Sequence, residues 1–182
     1  FTATNVQWAA AAKPTTRPDG SALVTGDRFY HTGDLRWYAY DSAVNSGSWL
    51  SEIVFTVSQV EVSVSANAGY AVSLAGHTTH NLYITAVQFS AFIYTNSGTT
   101  YWTTDIKKVN AAGTATTLGT GPNSSTWAAE TWTTGAAANN TFVDCTLGAP
   151  NDVARFQLTY TKTGLVDAMY VTSVVSYRLG LR

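Results

Sequence analysis

The sequence predicts an all-β protein: an antiparallel two-sheet β-sandwich, jelly-roll-like, preceded by a hairpin-rich segment and an extended N-terminal arm. Three observations carry this. Thr makes up about a sixth of the chain, and with Val, Tyr, Phe and Trp it supplies the residues that strands favour. Aromatic residues reach 13% while charged ones stay at 12%, about half the ~25% usual for soluble domains. Gly, Asn, Asp and Ser recur as punctuation between short runs, and no run shows a helical period of convincing length. A chain of 182 residues is long enough for one domain with a substantial core.

The first element, residues 1–18, is an arm and a Pro-rich linker. "FTATNVQWAAAAK" carries Phe1, Val6 and Trp8, apolar groups that water would not hold, and its Ala run is too short to nucleate a stable helix. "PTTRP" holds two of the four prolines and reads as an extended connector. The arm therefore needs a partner surface, on its own domain or on a neighbour.

Residues 19–51 form a hairpin module. "PDG", "TGD" and "NSGS" are turn signals between "SALV", "DRFYH", "LRWYAYD" and "WLS". Alternation puts Phe29 and His31 on one face of the second run and Tyr30 on the other. Asp27 and Asp34 follow glycines in apparent turns, where a carboxylate can accept backbone N–H bonds.

Residues 52–182 form the sandwich, and 19–182 is expected to be one compact unit. "VEVSVSA" places Val60, Val62 and Val64 on one face. "HNLYITAVQFSAFIYTNSG" is apolar on both faces, which predicts a central, buried strand. Residues 123–140 are expected to be a long loop with short strands. Of the closing strands, one aligns Phe156, Leu158 and Tyr160, and the last aligns Met169, Val171, Val175, Tyr177 and Leu179. Joined by "KTGLVD", those two are expected to pair with each other.

The stretch "RPDGSALVTGDRFY…LRWYAYD…GSWLS" resembles a module of cyanobacterial and cyanophage surface or tail-fibre-type proteins. The matching residues are Arg17, Pro18, Gly20, Ser21, Ala22, Leu23, Val24, Gly26, Asp27, Arg28, Tyr30, Trp37, Trp49, Leu50 and Ser51, with Phe29 where Trp is usual. "DIKKVNAAGTATTLGT" and "YVTSVVSYRLG" are similar to the β-domain that follows in such proteins. The resemblance implies a fibre or surface context and no particular reaction.

Several function classes find no support. Ten basic and eleven acidic residues give a net charge of −1, without the positive stripe that nucleic acid requires. No apolar stretch approaches the ~20 residues of a membrane span. Cys145, the lone cysteine, alternates with Val143 and Leu147 and reads as a small core residue. His77 and His80 of "HTTH" sit between strands and read as loop or surface histidines, not as a metal pair. Glu52, Glu61 and Glu130 are isolated, so no carboxylate pair suited to glycoside hydrolysis is apparent. Neither a GxSxG elbow nor a phosphate-binding loop occurs. The expectation is a non-enzymatic protein with no cofactor and no metal.

Aromatic side chains offer one binding possibility. In "STWAAETWTT", Trp127 and Trp132 flank Glu130 and are candidates for stacking on sugar rings. Asn123 and Asn139 head two N-glycosylation sequons in a region expected to be loop. The chain begins at Phe1, which fits removal of an export leader.

Together these features predict a structural subunit of an extracellular fibre, a homopolymer whose arm adds as a strand to the next subunit. The rival expectations are a phage tail-fibre or surface domain that binds receptor glycans, and a virion decoration protein.

Overall fold

A computed structural model describes residues 5–74, 79–145, 155–165 and 167–182. Among them twelve strands run in order: β1 (Gln7–Ala10), β2 (Arg28–His31), β3 (Arg36–Asp41), β4 (Ser48–Ser51), β5 (Phe55–Val64), β6 (Ala68–Val72), β7 (Asn81–Ile93), β8 (Tyr101–Val109), β9 (Ala115–Asn123), β10 (Trp132–Val143), β11 (Arg155–Thr163) and β12 (Met169–Gly180). Phe1 and His77 lie outside the described residues.

The last eight strands make the sandwich. One sheet orders them β5-β12-β7-β10, and the facing sheet β6-β11-β8-β9. Apart from the β8–β9 hairpin, every connection crosses from one sheet to the other, which is the jelly-roll arrangement of two Greek keys. The core fills the gap between the sheets. Leu82, Ile84, Val87, Phe89, Ala91 and Ile93 of β7 face Trp102 and Ile106 of β8 and Phe156, Leu158 and Tyr160 of β11. Met169, Val171, Val175, Tyr177 and Leu179 of β12 are all buried in that layer, as their alternation requires. Cys145 is buried there too, and desolvation pushes its thiol up to about 11, so it packs rather than reacts.

Four expectations need correction. First, β11 and β12 do not pair: β11 lies between β6 and β8, while β12 lies in the other sheet against β5 and β7. Each presents its apolar face to the same core from opposite sides, and the link between them crosses over. Second, Val60 does not share the inner face of Val62 and Val64. A bulge between Gln59 and Val62 shifts the register, leaving Val60 75% exposed and Glu61 exposed beside it. Third, residues 132–143 are a full strand and not a loop. Gly135 faces inward, where an added Cβ would meet Trp127 at 2.9 Å and Pro122 at 3.0 Å, so the absent side chain makes room for an indole. Fourth, β7 is central in its sheet, but only one of its faces is fully covered; Tyr83, Ser90 and Phe92 are half-buried and Gln88 is exposed.

The hairpin module extends the larger sheet as β1-β2-β3-β4, joined to β12 where Leu50 opposes Gly180. Arg178 fastens this junction by donating to the carbonyls of Leu50 (3.1 Å) and Ser51, and Leu181 N–H bonds the Trp49 carbonyl at 3.0 Å.

Candidate functional site: the arm and its seat

The arm is the feature least explained by the needs of the sandwich, and in the structure it has a built seat. β1 lies parallel to β2 in the register Gln7–Arg28, Trp8–Phe29, Ala9–Tyr30 and Ala10–His31. Arg28 N–H donates to the Val6 carbonyl at 2.9 Å and Thr32 N–H to the Ala10 carbonyl at 3.0 Å, bracketing the added strand. Period-two geometry turns Val6, Trp8 and Ala10 inward, half-buried, and leaves Gln7 and Ala9 exposed.

Trp8 fills an aromatic slot. Its ring stacks on Phe29 (6.2 Å between centroids, 29°) and meets Trp49 edge-on (5.7 Å, 82°). Phe29 in turn contacts Trp49 at 4.6 Å and Tyr38 at 5.8 Å, and these three rings are the module's own buried core. Such pairs add about 0.5–1.5 kcal/mol each beyond the area they bury. A cavity of about 260 Å³ lies beneath the linker, among Pro14, Leu23, Tyr40, Trp49 and Leu181. Trp49 Nε1–H closes it by donating to the Pro14 carbonyl at 2.9 Å.

Asp27 organises the seat. Its carboxylate has no solvent exposure and accepts four bonds: from Arg17 Nε and Nη2 at 2.8 Å each, Val24 N–H at 3.0 Å and Val6 N–H at 3.1 Å. Linker, turn and arm thus meet on one side chain. Burial alone raises its pKa, but the Arg17 fork and the two amides outweigh burial and hold the carboxyl below the usual range.

A second cluster locks the module onto the sandwich. Asp34 Oδ2 accepts from Tyr38 O–H and from His80 Nε2, each at 2.8 Å, and Tyr38 stacks on His80 at 7°. His31 Nε2 lies 3.1 Å from the Ala11 carbonyl, and its Nδ1 lies 3.0 Å from Asp34 Oδ2 and 3.2 Å from Asp34 N, so the ring ties the end of the arm to the β2–β3 turn. Burial raises the Asp34 carboxyl, and the bonds from His80 and Tyr38 more than offset that, leaving it lowered. Burial and its Asp34 partner push the Tyr38 hydroxyl up. His80 is therefore an interior residue, 6% exposed, and not the surface histidine expected from its loop position.

Neither carboxylate suits acid–base work, which wants a pKa near the operating pH and a free lone pair. Both are driven the other way, with both oxygens of Asp27 and Oδ2 of Asp34 occupied by structural donors. Among the described residues, no three His, Cys, Asp or Glu side chains are placed to hold a metal ion.

The two tryptophans proposed as a sugar platform are not brought together. Trp127 is half-buried and stacks on core Phe89 at 5.0 Å and 29°. Asn96 holds that loop inward by donating to the carbonyls of Ser124 and Trp127, the latter at 2.8 Å. Trp132 lies on the opposite, outer face, 49% exposed. Asn123 ends β9, exposed, with its side-chain oxygen accepting from Ser125 N–H at 3.1 Å. Asn139 sits at the bulge of β10, half-buried, donating to the Ala137 carbonyl at 3.1 Å.

Sequence reasoning missed the Arg17–Asp27 grip, although both residues stand in the module pattern. It also missed Phe92, Tyr94 and Tyr170, which gather around Trp132. The signal was present as aromatic residues at the outward positions of β7 and β12, but only strand register places them side by side.

No protein-family model matches the chain, and no curated protein sequence does. Among solved structures, the C-terminal family 22 carbohydrate binding module of Clostridium thermocellum Xyn10B is similar at 12% identity over 78% of this chain and 80% of that one, with a TM-score of 0.39. The T=1 particle protein of infectious bursal virus is similar at 8% identity over 71% of this chain, with a TM-score of 0.36. The infectious bursal disease virus Gt strain is similar at 12% identity over 94% of this chain, with a TM-score of 0.33. The chain spans only 32% and 42% of those two viral chains. Likenesses at this level leave function to be argued from the chain's own residues.

Proposed function

We propose that the chain is a non-enzymatic structural subunit of an extracellular fibre, and that subunits are joined by exchange of their N-terminal arms. The observation that supports this is the construction of the seat. An edge strand of four residues, Gln7–Ala10, is bound by backbone bonds and one inserted indole, and is tethered through a proline-bearing linker. A segment held in this way can leave its own seat and fill the same seat on a neighbour, with every contact conserved. Where each subunit passes its arm onward to the next and not back to its own donor, the contact is heterologous, and a rotation that does not close propagates it into an open helix. The resemblance of the module to tail-fibre-type proteins supports the same context.

The rival reading through the Trp127–Trp132 loop would have to rest on Trp132 without Trp127, which stacks on Phe89. Decoration of a virion would use the same arm but produce a capsid lattice. Negative-stain microscopy distinguishes these readings: the full chain forms filaments, and the chain lacking residues 1–12 stays a folded monomer. Filaments that persist after the deletion would contradict arm exchange.

A further inference from the structure

At the far edge of the larger sheet from the arm seat, the outer face carries a strip of rings across three strands. Tyr170 of β12, Phe92 of β7 and Trp132 of β10 stand in one register row, continued by Ser63 of β5. Tyr94, just past the end of β7, meets Phe92 at 5.2 Å and Tyr170 at 6.2 Å. Trp132, Tyr94 and Tyr170 are 49%, 45% and 39% exposed. With Glu61 they line an open cleft of about 250 Å³. Glu61 shares this outer face with Ser63, two residues along β5.

The next row along the same face is polar and small: Thr172, Ser90 and Thr134, with Ser90 and Thr134 hydroxyls 2.8 Å apart. A protein partner would want an apolar interface centre and roughly 800 Å² on each side. Five lining residues backed by a row of hydroxyls do not supply that. Rings with exposed faces, one carboxylate and a shelf of hydroxyls match a sugar instead. The C–H face of a pyranose packs on the electron-rich face of an aromatic ring. Its edge hydroxyls need acceptors and donors, which the few convergent polar groups of a binding cleft provide. Glu61 has no ion pair among the described residues, and its negative charge favours neutral sugars over acidic ones.

We infer that this strip is a binding site for a neutral polysaccharide, which lies across β12, β7 and β10 with pyranose faces on Trp132 and Tyr170 and hydroxyls on Glu61 and Tyr94. The site is independent of arm exchange, since it lies at the opposite end of the strand order. Native affinity electrophoresis of the full chain in gels containing hydroxyethylcellulose, xylan, galactomannan or laminarin tests it, with alginate as the anionic arm. At least one neutral polymer retards the protein and alginate does not. Trp132→Ala and Tyr94→Ala each weaken retardation tenfold or more, and Glu61→Gln weakens it severalfold. Trp37→Ala, an indole of similar exposure on the hairpin module, leaves it unchanged. Tyr94 lies outside the strands, so its variant serves even where Trp132→Ala fails to fold. Retardation by none of the neutral polymers overturns the inference, as does retardation indifferent to Tyr94→Ala. A Tyr94→Ala change that only alters oligomeric state, read by light scattering, reassigns the strip to contact between copies and overturns it too.

Discussion

Arg17 and Asp27 meet through two parallel bonds of 2.8 Å, with the carboxylate sealed from solvent. Ten residues apart in sequence, they convert a Pro-rich linker into one wall of a binding slot. Asp27 also takes the amide of Val6, so the arm is read by the same group that fixes the linker. Asp27→Asn places an amide donor where an acceptor is needed, against a guanidinium. Hydrogen bonds to charged groups contribute about 1.5–3 kcal/mol each, so a loss of about 2 kcal/mol or more is expected, read as a lower urea midpoint with an unchanged slope.

Arm seating has a local signature. Trp8→Ala removes the ring that stacks on Phe29 and abuts Trp49. Full burial of such a ring is worth about 3–5 kcal/mol; Trp8 is half-buried, so about 2 kcal/mol is expected. The amides of Arg28 and Thr32, which donate to Val6 and Ala10, should exchange with deuterium faster in this variant. Amides of β7 and β12 should keep their protection.

Acid should weaken the module. Asp27 and Asp34 both have carboxyls held below their ordinary range in the folded chain. Their stabilisation is therefore fully present above the unfolded carboxylate pKa of about 3.9 and is lost as pH falls below it toward the folded values. Urea midpoints measured from pH 5 down to pH 2 should fall for the native chain. The fall should be shallower for Asp34→Asn, which has already lost one of the two protonation steps.

Much of the fold was legible because burial imposes period two. The inner faces of β11 and β12 could be read directly from Phe156, Leu158 and Tyr160 and from Met169 to Leu179. Partner choice was not legible: nothing local tells β11 and β12 that they face each other across the core and do not pair. The β5 bulge was hidden for a related reason, since an extra residue shows only against its partner strand. β10 was concealed by composition. Its inward positions are Thr133, Gly135, Ala137 and Asn139, small because Trp127 and the facing β9 occupy the space. At the candidate site, the apolar arm was visible as a segment needing a partner, whereas its receiving slot was assembled from Phe29, Trp49, Arg17 and Asp27 by the fold.

That account of β10 can be tested at Gly135. A Cβ there would sit 2.9 Å from Trp127 and 3.0 Å from Pro122. Gly135→Ala should cost about 1–3 kcal/mol through overpacking, seen as a lower melting temperature. Trp127 fluorescence should shift toward that of a wetter indole as the ring is displaced.

Arm exchange is tested most directly by trapping the arm where it sits. Ala9 and Tyr30 are register partners on adjacent strands, within the ~4.4–6.8 Å that a disulfide spans between Cα atoms, and Cys145 is buried away from them. The Ala9→Cys, Tyr30→Cys double variant, assembled and then oxidised, should run on a non-reducing denaturing gel as a ladder of covalently linked subunits that collapses to monomer on reduction. A single monomer band under non-reducing conditions, with its thiols consumed, would show that each arm stays in its own seat and would contradict the proposed assembly.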